Sequence, residues 1–181
     1  SGAATLYYYC TAHSGMGGQI NTTSTAGSTN LAGSVAVTTS ANATAGFSMI
    51  YHASEGYFGG TYGHELGKTP AFIITRDVDN VNNWYVWHQG FSNPTYHYLS
   101  GMNTTAAVAT SSANEYNPTS TLVMTDQGLD RKGITYVWAD IEGFSKFGTY
   151  KGNGNANGPF VNVGFRPAWI MWKKLTNTGR W

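Results

Sequence analysis

Three residues near the start of the chain have side chains of the types that bind copper in proteins. Cys10, His13 and Met16 fall in the stretch YYYCTAHSGMGGQI, residues 7–20. A thiolate, an imidazole and a weak axial thioether are the loop ligands of copper electron-transfer sites, and a short loop after a strand can aim all three at one ion. The tyrosines before Cys10 are typical of such a strand. These three residues are therefore candidate copper ligands.

The same stretch resembles the C-terminal ligand loop of cupredoxins, with the C-T-x-H-x-x-M spacing of the amicyanin and pseudoazurin kind. In that family a further histidine ligand lies in an earlier strand. The remaining histidines of this chain all come later: His52, His64, His88 and His97. The ligand set is therefore incomplete, and the alternative is a cupredoxin-like strand end retained for packing without metal. Either way, the resemblance implies that residues 1–20 end a cupredoxin-like domain.

A pair of carboxylates, Asp140 and Glu142, is a candidate for glycoside hydrolysis. If WADIEGF is a strand, its alternation places both carboxylates on one face, about 7 Å apart. Laminarinase-like enzymes carry three acids at alternating positions, but Trp138 occupies the first of those places here. Without a third acid we predict solvated carboxylates, no catalytic residue and no enzyme. A jelly-roll glycoside hydrolase remains the third functional hypothesis.

The segment DVDNVNNW, residues 77–84, offers oxygen ligands that could hold calcium. It lacks the glycine and the distal glutamate of an EF-hand loop. A matching stretch near the C-terminus, KKLTNTGRW, keeps no carboxylate. An Asx-rich hairpin turn is the favoured interpretation.

Aromatic residues on the predicted strands are suited to sugar binding, because a ring stacks on a pyranose while amides bond its hydroxyls. The candidates are Trp84, Tyr85, Trp87, Tyr96 and Tyr98. Strand alternation sends about half of them into the core. The sequence leaves open which half remains available to a glycan.

Composition limits the function classes. The chain has 181 residues, which is room for one domain with flanking pieces, and one cysteine, which excludes an intrachain disulfide framework. Ten basic and nine acidic residues give a net charge of +1, so phosphate-dominated nucleic-acid binding is not expected. No apolar run approaches the roughly 18 residues of a bilayer helix, so no membrane insertion is expected.

The pattern of β-branched and aromatic runs between turn residues predicts an all-β, antiparallel, jelly-roll-like sandwich. Strands are predicted over residues 46–52, 71–76, 84–88, 96–99, 121–125 and 134–141. The one helical candidate is residues 105–109. Residues 21–45, rich in Thr, Ser, Ala and Asn, are interpreted as a linker with an edge strand at residues 34–39.

A sequence repeat of long period predicts the remaining domain boundaries. Residues 46–84 align with residues 143–181 without a gap, so that Gly46, Gly67, Pro70 and Trp84 fall on Gly143, Gly164, Pro167 and Trp181. Turn and core residues repeated at this spacing predict tandem modules. Residues 46–142 would form one complete sandwich, and residues 143–181 the opening strands of a second.

Several stretches together resemble the repeated β-sandwich module of tail-fibre and other structural proteins of tailed phages. They are HELGKTPAFIITRD, NNWYVWHQGF and GFSKFGTYKGNGNANGPFVNVGFRPAW, within residues 46–181. The resemblance implies a concanavalin-like jelly roll in tandem copies. Glu65 departs from the family pattern, which has glycine there, and this departure puts the turn before Leu66 in question.

This resemblance implies a structural and adhesive role in a virion or on an extracellular surface. The expected partners are copies of the chain itself, other virion or filament proteins, and host-surface glycans. It carries no catalytic residues and no cofactor. The alternative from another class is a fragment of a secreted cupredoxin-type protein that transfers electrons through copper.

Overall fold

A computed structural model of the chain describes residues 5–9, 17–21, 27–53, 60–94, 97–98, 101–102, 104–110, 117–124 and 132–179. For residues 5–9, 17–21 and 97–98 it describes the backbone alone. All regular elements within these ranges are strands, and no helix there could cross a membrane. The predicted all-β, antiparallel sandwich class is therefore confirmed.

The strands follow one another closely along the chain. They are β1 (Thr5–Tyr9), β2 (Gly17–Asn21), β3 (Ser28–Asn30), β4 (Val37–Asn42), β5 (Phe47–His52), β6 (Thr61–Gly63), β7 (Phe72–Asp77), β8 (Tyr85–His88), β9 (His97–Tyr98), β10 (Ala109–Thr110), β11 (Leu122–Met124) and β12 (Gly133–Trp138). Strands β1 and β2 pair with each other as an antiparallel hairpin.

The main sheet has six strands in the order β3-β4-β5-β12-β7-β8, all antiparallel. Strand β12 is the last in sequence but lies between β5 and β7. Its Tyr136 is opposite Met49 on one side and Ile74 on the other. Two smaller antiparallel pairs, β6–β11 and β9–β10, complete the described strands.

The inner core lies between the main sheet and the β6–β11 pair. Side chains alternate between faces along a strand, so Ile50 of β5 and Val137 of β12 both point to this side and are fully buried. Tyr62 of β6 and Val123 of β11 cover them from the second layer. Two packed layers around one apolar core make the sandwich.

A buried chain of hydroxyl groups links the two layers. The Tyr62 hydroxyl lies 2.8 Å from Oγ1 of Thr135, which donates to Oγ1 of Thr75 at 3.2 Å. All three side chains are buried, and each hydroxyl has a partner in the chain. Because hydrogen bonds are directional, this contact fixes β6 in one position against β12 and β7.

The outer face of the main sheet is covered over only part of its width. Over β7, β8 and β12 a second apolar cluster forms around Phe72, Ile74, Val86 and Phe91. The C-terminal segment, residues 143–179, packs on this cluster through Phe147, Met171 and Leu175. Over β4 and β5, Met49 and Tyr51 remain exposed on the same face.

The polar stretch interpreted as a linker contributes two strands to the main sheet. Strand β4 pairs with β5, and β3 pairs with β4. Along this stretch Val35, Val37 and Thr39 are buried while Thr38 and Ser40 are exposed. The linker interpretation is therefore wrong for residues 28–42, because a period of two lets small and β-branched side chains bury one face against a neighbouring strand.

The predicted second module shares its turns with the first but not its strands. Gly46 and Gly143 have φ values of 65° and 74°, and Gly67 and Gly164 have 65° and 83°. Both repeat-related pairs thus adopt the left-handed conformation that glycine favours. Residues 143–179, however, contain no strand, since no described strand pairs with them as β12 pairs with β7. The opening strands expected there do not form.

The helix expected at residues 105–109 is also absent, and that segment ends in the short strand β10. Residues of this segment pack on the outer cluster through Val108. Helix propensity in a short polar segment is weak compared with the gain from covering an apolar sheet face.

Glu65 occupies a left-handed backbone conformation, with φ of 59°. We predict that Glu65→Gly raises the free energy of unfolding by about 0.5–1 kcal/mol, because relief of the left-handed strain exceeds the entropy cost of glycine. Urea unfolding would measure it. The matched control is Glu65→Ala, which removes the exposed side chain and keeps the strain, and which we expect to change stability by less than about 0.5 kcal/mol. Equal changes in both variants would contradict a backbone origin.

Candidate interaction surface

The three candidate copper ligands, Cys10, His13 and Met16, lie outside the described residues. The strands on either side are described: the tyrosine run forms β1 as predicted, and Tyr9 pairs with Gly17 of β2. Within the described ranges no group of three His, Cys, Asp or Glu side chains is arranged to hold a metal ion. Copper binding by the first residues stays a prediction.

The carboxylates of Asp140 and Glu142 do not share a strand face. Strand β12 ends at Trp138, and Glu142 lies exposed in the turn that the bridge between Ile141 and Ser145 closes. One oxygen of Asp140 accepts a hydrogen bond from Nζ of Lys146 at 2.7 Å. The other accepts from the amide of Phe147 at 2.8 Å. The prediction that Asp140 and Glu142 lie on one strand face is wrong, because the strand ends two residues before Asp140.

Asp77 organises the turn after β7, as the Asx-turn interpretation predicted. Its Oδ1 accepts from the amides of Asp79 and Asn80 at 2.8 and 3.1 Å, and its Oδ2 accepts from the side-chain amides of Asn80 and Asn82 at 3.2 and 2.8 Å. Burial favours a higher pKa for this carboxyl, but the four donors outweigh burial and hold the pKa below its ordinary value. Donors already fill the oxygen positions that a calcium ion would need.

Structure divides the glycan-binding candidates into core and surface residues. Trp87 is a core residue whose Nε1 donates to the carbonyl of Pro94 at 2.7 Å. Trp84 is half-buried, and the Arg76 guanidinium lies 5.1 Å from the centre of its ring. Tyr96 lies outside the described residues, as does the side chain of Tyr98 in β9. Tyr85 remains half-buried at the surface.

Tyr85 borders a narrow cleft beside β8. The cleft is lined by Ile73, Thr75, Tyr85, Val86, Trp87, Asn117, Pro118 and Met124, and its volume is about 10 Å³. That volume is room for one water molecule, so a sugar ring does not fit inside. Any glycan contact at Tyr85 would be made on the surface of the cleft.

Two histidines are held neutral inside the fold. Nε2 of His64 donates to the carbonyl of Thr119 at 3.2 Å, while Nδ1 accepts from the amide of Leu66 at 3.3 Å. Burial lowers the pKa of His64, although the Thr119 carbonyl opposes the shift. Burial likewise lowers the pKa of His88, against the attraction of Asp140. In the folded chain both imidazoles therefore favour the neutral form and resist protonation.

Most of the exposed large apolar side chains among the described residues lie in the C-terminal segment, residues 143–179. Its exposed apolar side chains are Phe144, Tyr150, Phe160, Val161, Trp169, Ile170 and Trp172. From residue 171 to residue 175 burial alternates, so Met171 and Leu175 face the sheet while Trp172 and Lys174 face solvent. We call Trp169, Ile170 and Trp172 the outward strip. Contiguous exposed apolar residues of this size typically mark an interaction surface.

Sequence reasoning did not single out this strip. The repeat alignment contained the necessary signal, because it places Ile170 on Ile73 and Trp172 on Thr75, both buried in the first copy.

A comparison with protein families matches residues 21–181 to a family described as "Domain of unknown function (DUF7483)". The chain belongs to this family. The DUF7483 match begins before β3 and continues through the outward strip, so strands β3 and β4 of the polar stretch and the C-terminal segment fall within one family domain. No curated protein and no solved structure matches the chain.

Replacing Asp77 tests whether the DUF7483 turn depends on its carboxylate. We predict that Asp77→Asn lowers the free energy of unfolding by about 1–3 kcal/mol, because a side-chain amide cannot accept from all four donors. Asp79→Asn is the matched control: it removes an exposed carboxylate 3.5 Å from Lys132, and we expect a change below about 0.5 kcal/mol. A melting temperature that rises with calcium in the unmodified chain, and not in Asp77→Asn, would instead favour a calcium site.

Acid should destabilise the fold through His64, which is buried, and His88, which is half-buried. Their folded pKa values lie below the ordinary 6.5, so the unfolded chain takes up protons first. The stabilisation is complete above about pH 6.5 and is lost as the pH falls below it. We predict that urea unfolding between about pH 7.5 and about pH 5 shows this loss, and that His64→Gln and His88→Gln each reduce its slope. An unchanged slope in the double variant would assign the acid sensitivity to other groups.

Proposed function

We propose that the chain is a structural and adhesive module of a phage tail fibre or a similar surface filament. The observation that carries the proposal is the outward strip on a segment whose other face is already packed. Residues 143–179 pack on the sandwich through Phe147, Met171 and Leu175, which leaves the outward strip available for an assembly contact. The resemblance of residues 46–181 to tail-fibre modules supports the same assignment.

The described site chemistry is consistent with a mechanical role. Two of the side chains that the sequence nominated for chemistry are engaged in structure: Asp140 with Lys146 and the Phe147 amide, and Asp77 with its turn. The two-layer sandwich with an antiparallel six-stranded sheet supplies a stiff unit that can repeat along a filament.

Fewer aromatic residues are available for glycan binding than the sequence suggested. Trp87 is committed to the core, which leaves Trp84 and Tyr85 as the described aromatic residues near the surface of β8. With no enclosed pocket at Tyr85, a surface glycan would be bound weakly by each module. Repetition of the module along a filament would raise the overall avidity.

Immunogold electron microscopy tests the assignment. Antibodies raised against the 181-residue chain should label extended fibres on virus particles or cell surfaces from the source culture, in rows along the fibre axis. Preabsorption of the antibodies with the purified chain is the control and should remove the label. Label confined to the soluble fraction, with unlabelled fibres, would overturn the proposal.

A further inference from the structure

Phe147 fastens the start of the C-terminal segment to the sandwich. Its backbone amide donates to Oδ1 of Asp140 at 2.8 Å, and its carbonyl accepts from Nε2 of Gln89 at 3.1 Å. Its ring stacks on Phe72 of β7, with the ring centres 5.6 Å apart, and meets the His88 ring edge-on at 6.4 Å. Two hydrogen bonds and two ring contacts thus converge on one residue, and we call this arrangement the Phe147 clasp.

His88 takes part in the clasp in its neutral form. Its Nδ1 accepts from the amide of Gly90 at 2.8 Å, so Nε2 carries the proton of the neutral ring. Protonation of Nδ1 would set one N–H against another and break this hydrogen bond. The same turn carries Gln89, whose own amide donates to the carbonyl of Ala71 at 3.0 Å. A change at His88 therefore reaches the side chain that holds the Phe147 carbonyl.

The rings around His88 also oppose a charge on it. The imidazole contacts Phe72, Phe91 and Phe147, with ring centres 6.0, 5.9 and 6.4 Å away. Burial lowers the pKa of His88 below its ordinary value, and the attraction of Asp140 offsets only part of this shift. The neutral imidazole therefore fits the clasp better than the imidazolium does.

The charged groups near His88 are themselves part of the clasp. Asp140 favours the imidazolium, but its carboxylate already accepts from Nζ of Lys146 and from the amide of Phe147. A protonated His88 would compete with both donors for that carboxylate and so loosen Phe147 a second time. On this face of the sheet, the charged residue of β7 is Arg76, at the far end of the strand, and residues 89–91 carry no charge.

We propose that the Phe147 clasp is a pH-sensitive switch, in which protonation of His88 opens the clasp and releases residues 146–150 from the outer face of the sandwich. Opening uncovers the face of the Phe72 ring on which Phe147 stacks. The inference concerns the fold itself and goes beyond the proposed function, because it holds whether or not the chain serves in a filament.

The direction of the switch follows from the linkage between protonation and opening. In the closed clasp the pKa of His88 lies below the ordinary 6.5, to which it returns once the ring is solvated in the open form. The open form therefore binds the proton more tightly, and acid shifts the population toward it. The closed clasp has its full stability above about pH 6.5 and loses stability as the pH falls below that value.

Amide hydrogen exchange followed by NMR tests the switch in the 181-residue chain between about pH 7.5 and about pH 5.5. The readout is the protection factor of the Phe147 amide, which is its exchange rate corrected for the pH dependence of unprotected amides. We expect this factor to fall by about tenfold across the range. It should also lie below the protection factors of the β12 amides at every pH, because the clasp opens locally while the main sheet stays intact.

Matched variants assign the effect to His88. His88→Gln removes the titrating ring and should leave the protection of the Phe147 amide independent of pH over this range. His64→Gln removes the other histidine of lowered pKa, which bonds to Thr119 away from the clasp, and should retain the fall. Gln89→Ala removes the donor to the Phe147 carbonyl and should lower protection by about fivefold at both ends of the range. Circular dichroism of each variant establishes that the fold is retained.

Three outcomes would overturn the inference. The first is protection of the Phe147 amide that does not change with pH, and the second is a fall that persists in His88→Gln. The third is protection equal to that of the β12 amides, which would mean that Phe147 is released only when the whole fold opens. None of these results affects fibre labelling by immunogold, so failure of the switch is distinguishable from failure of the proposed function.

Discussion

The position of strand β12 is the constraint on which the rest of the structure depends. This strand is last in sequence but central in the main sheet, where it hydrogen-bonds β5 on one side and β7 on the other. The sheet cannot form until residues separated by about eighty positions meet, which makes the fold rich in long-range contacts. Side chains of β5 and β7 are buried because β12 joins them into one surface. The polar contacts between layers follow, since Thr135 of β12 links Thr75 of β7 to Tyr62 of β6.

The C-terminal segment, residues 143–179, carries the repeated sequence pattern but pairs with no described strand. Its glycine turns adopt the same left-handed conformations as in the first copy, because backbone conformation at these positions is set locally. Pairing is not local, and residues 143–179 join no sheet. It uses its inward side chains to cover the outer face of the sandwich and leaves its outward side chains in solvent. One sequence pattern thus yields a strand in one context and a covering segment in the other.

The sequence was sufficient for features that depend on local pattern. Fold class, most of the strand positions and the Asx turn at Asp77 follow from period-two alternation and turn residues, and the structure confirms them. Features that depend on distant partners were not predictable in this way. Strand β3 was missed, and the edge strand predicted at residues 34–39 covers only the start of β4, because small polar residues gain stability only by lying along a neighbouring strand. The place where β12 ends, which decides the geometry at Asp140, depends on the bridge to Ser145 and not on the strand pattern.

The exposure of the outward strip could not be predicted from the sequence, for a related reason. An apolar residue in a strand pattern indicates burial, and only knowledge of the partner strand shows that the burial is incomplete. Exposed apolar edges are a hazard, because they pair with any extended chain, and proteins commonly protect them with charge. In this chain Arg166, Lys173 and Lys174 flank the exposed residues, and no acidic residue lies in the segment. Like charges on these residues oppose direct pairing between two such segments.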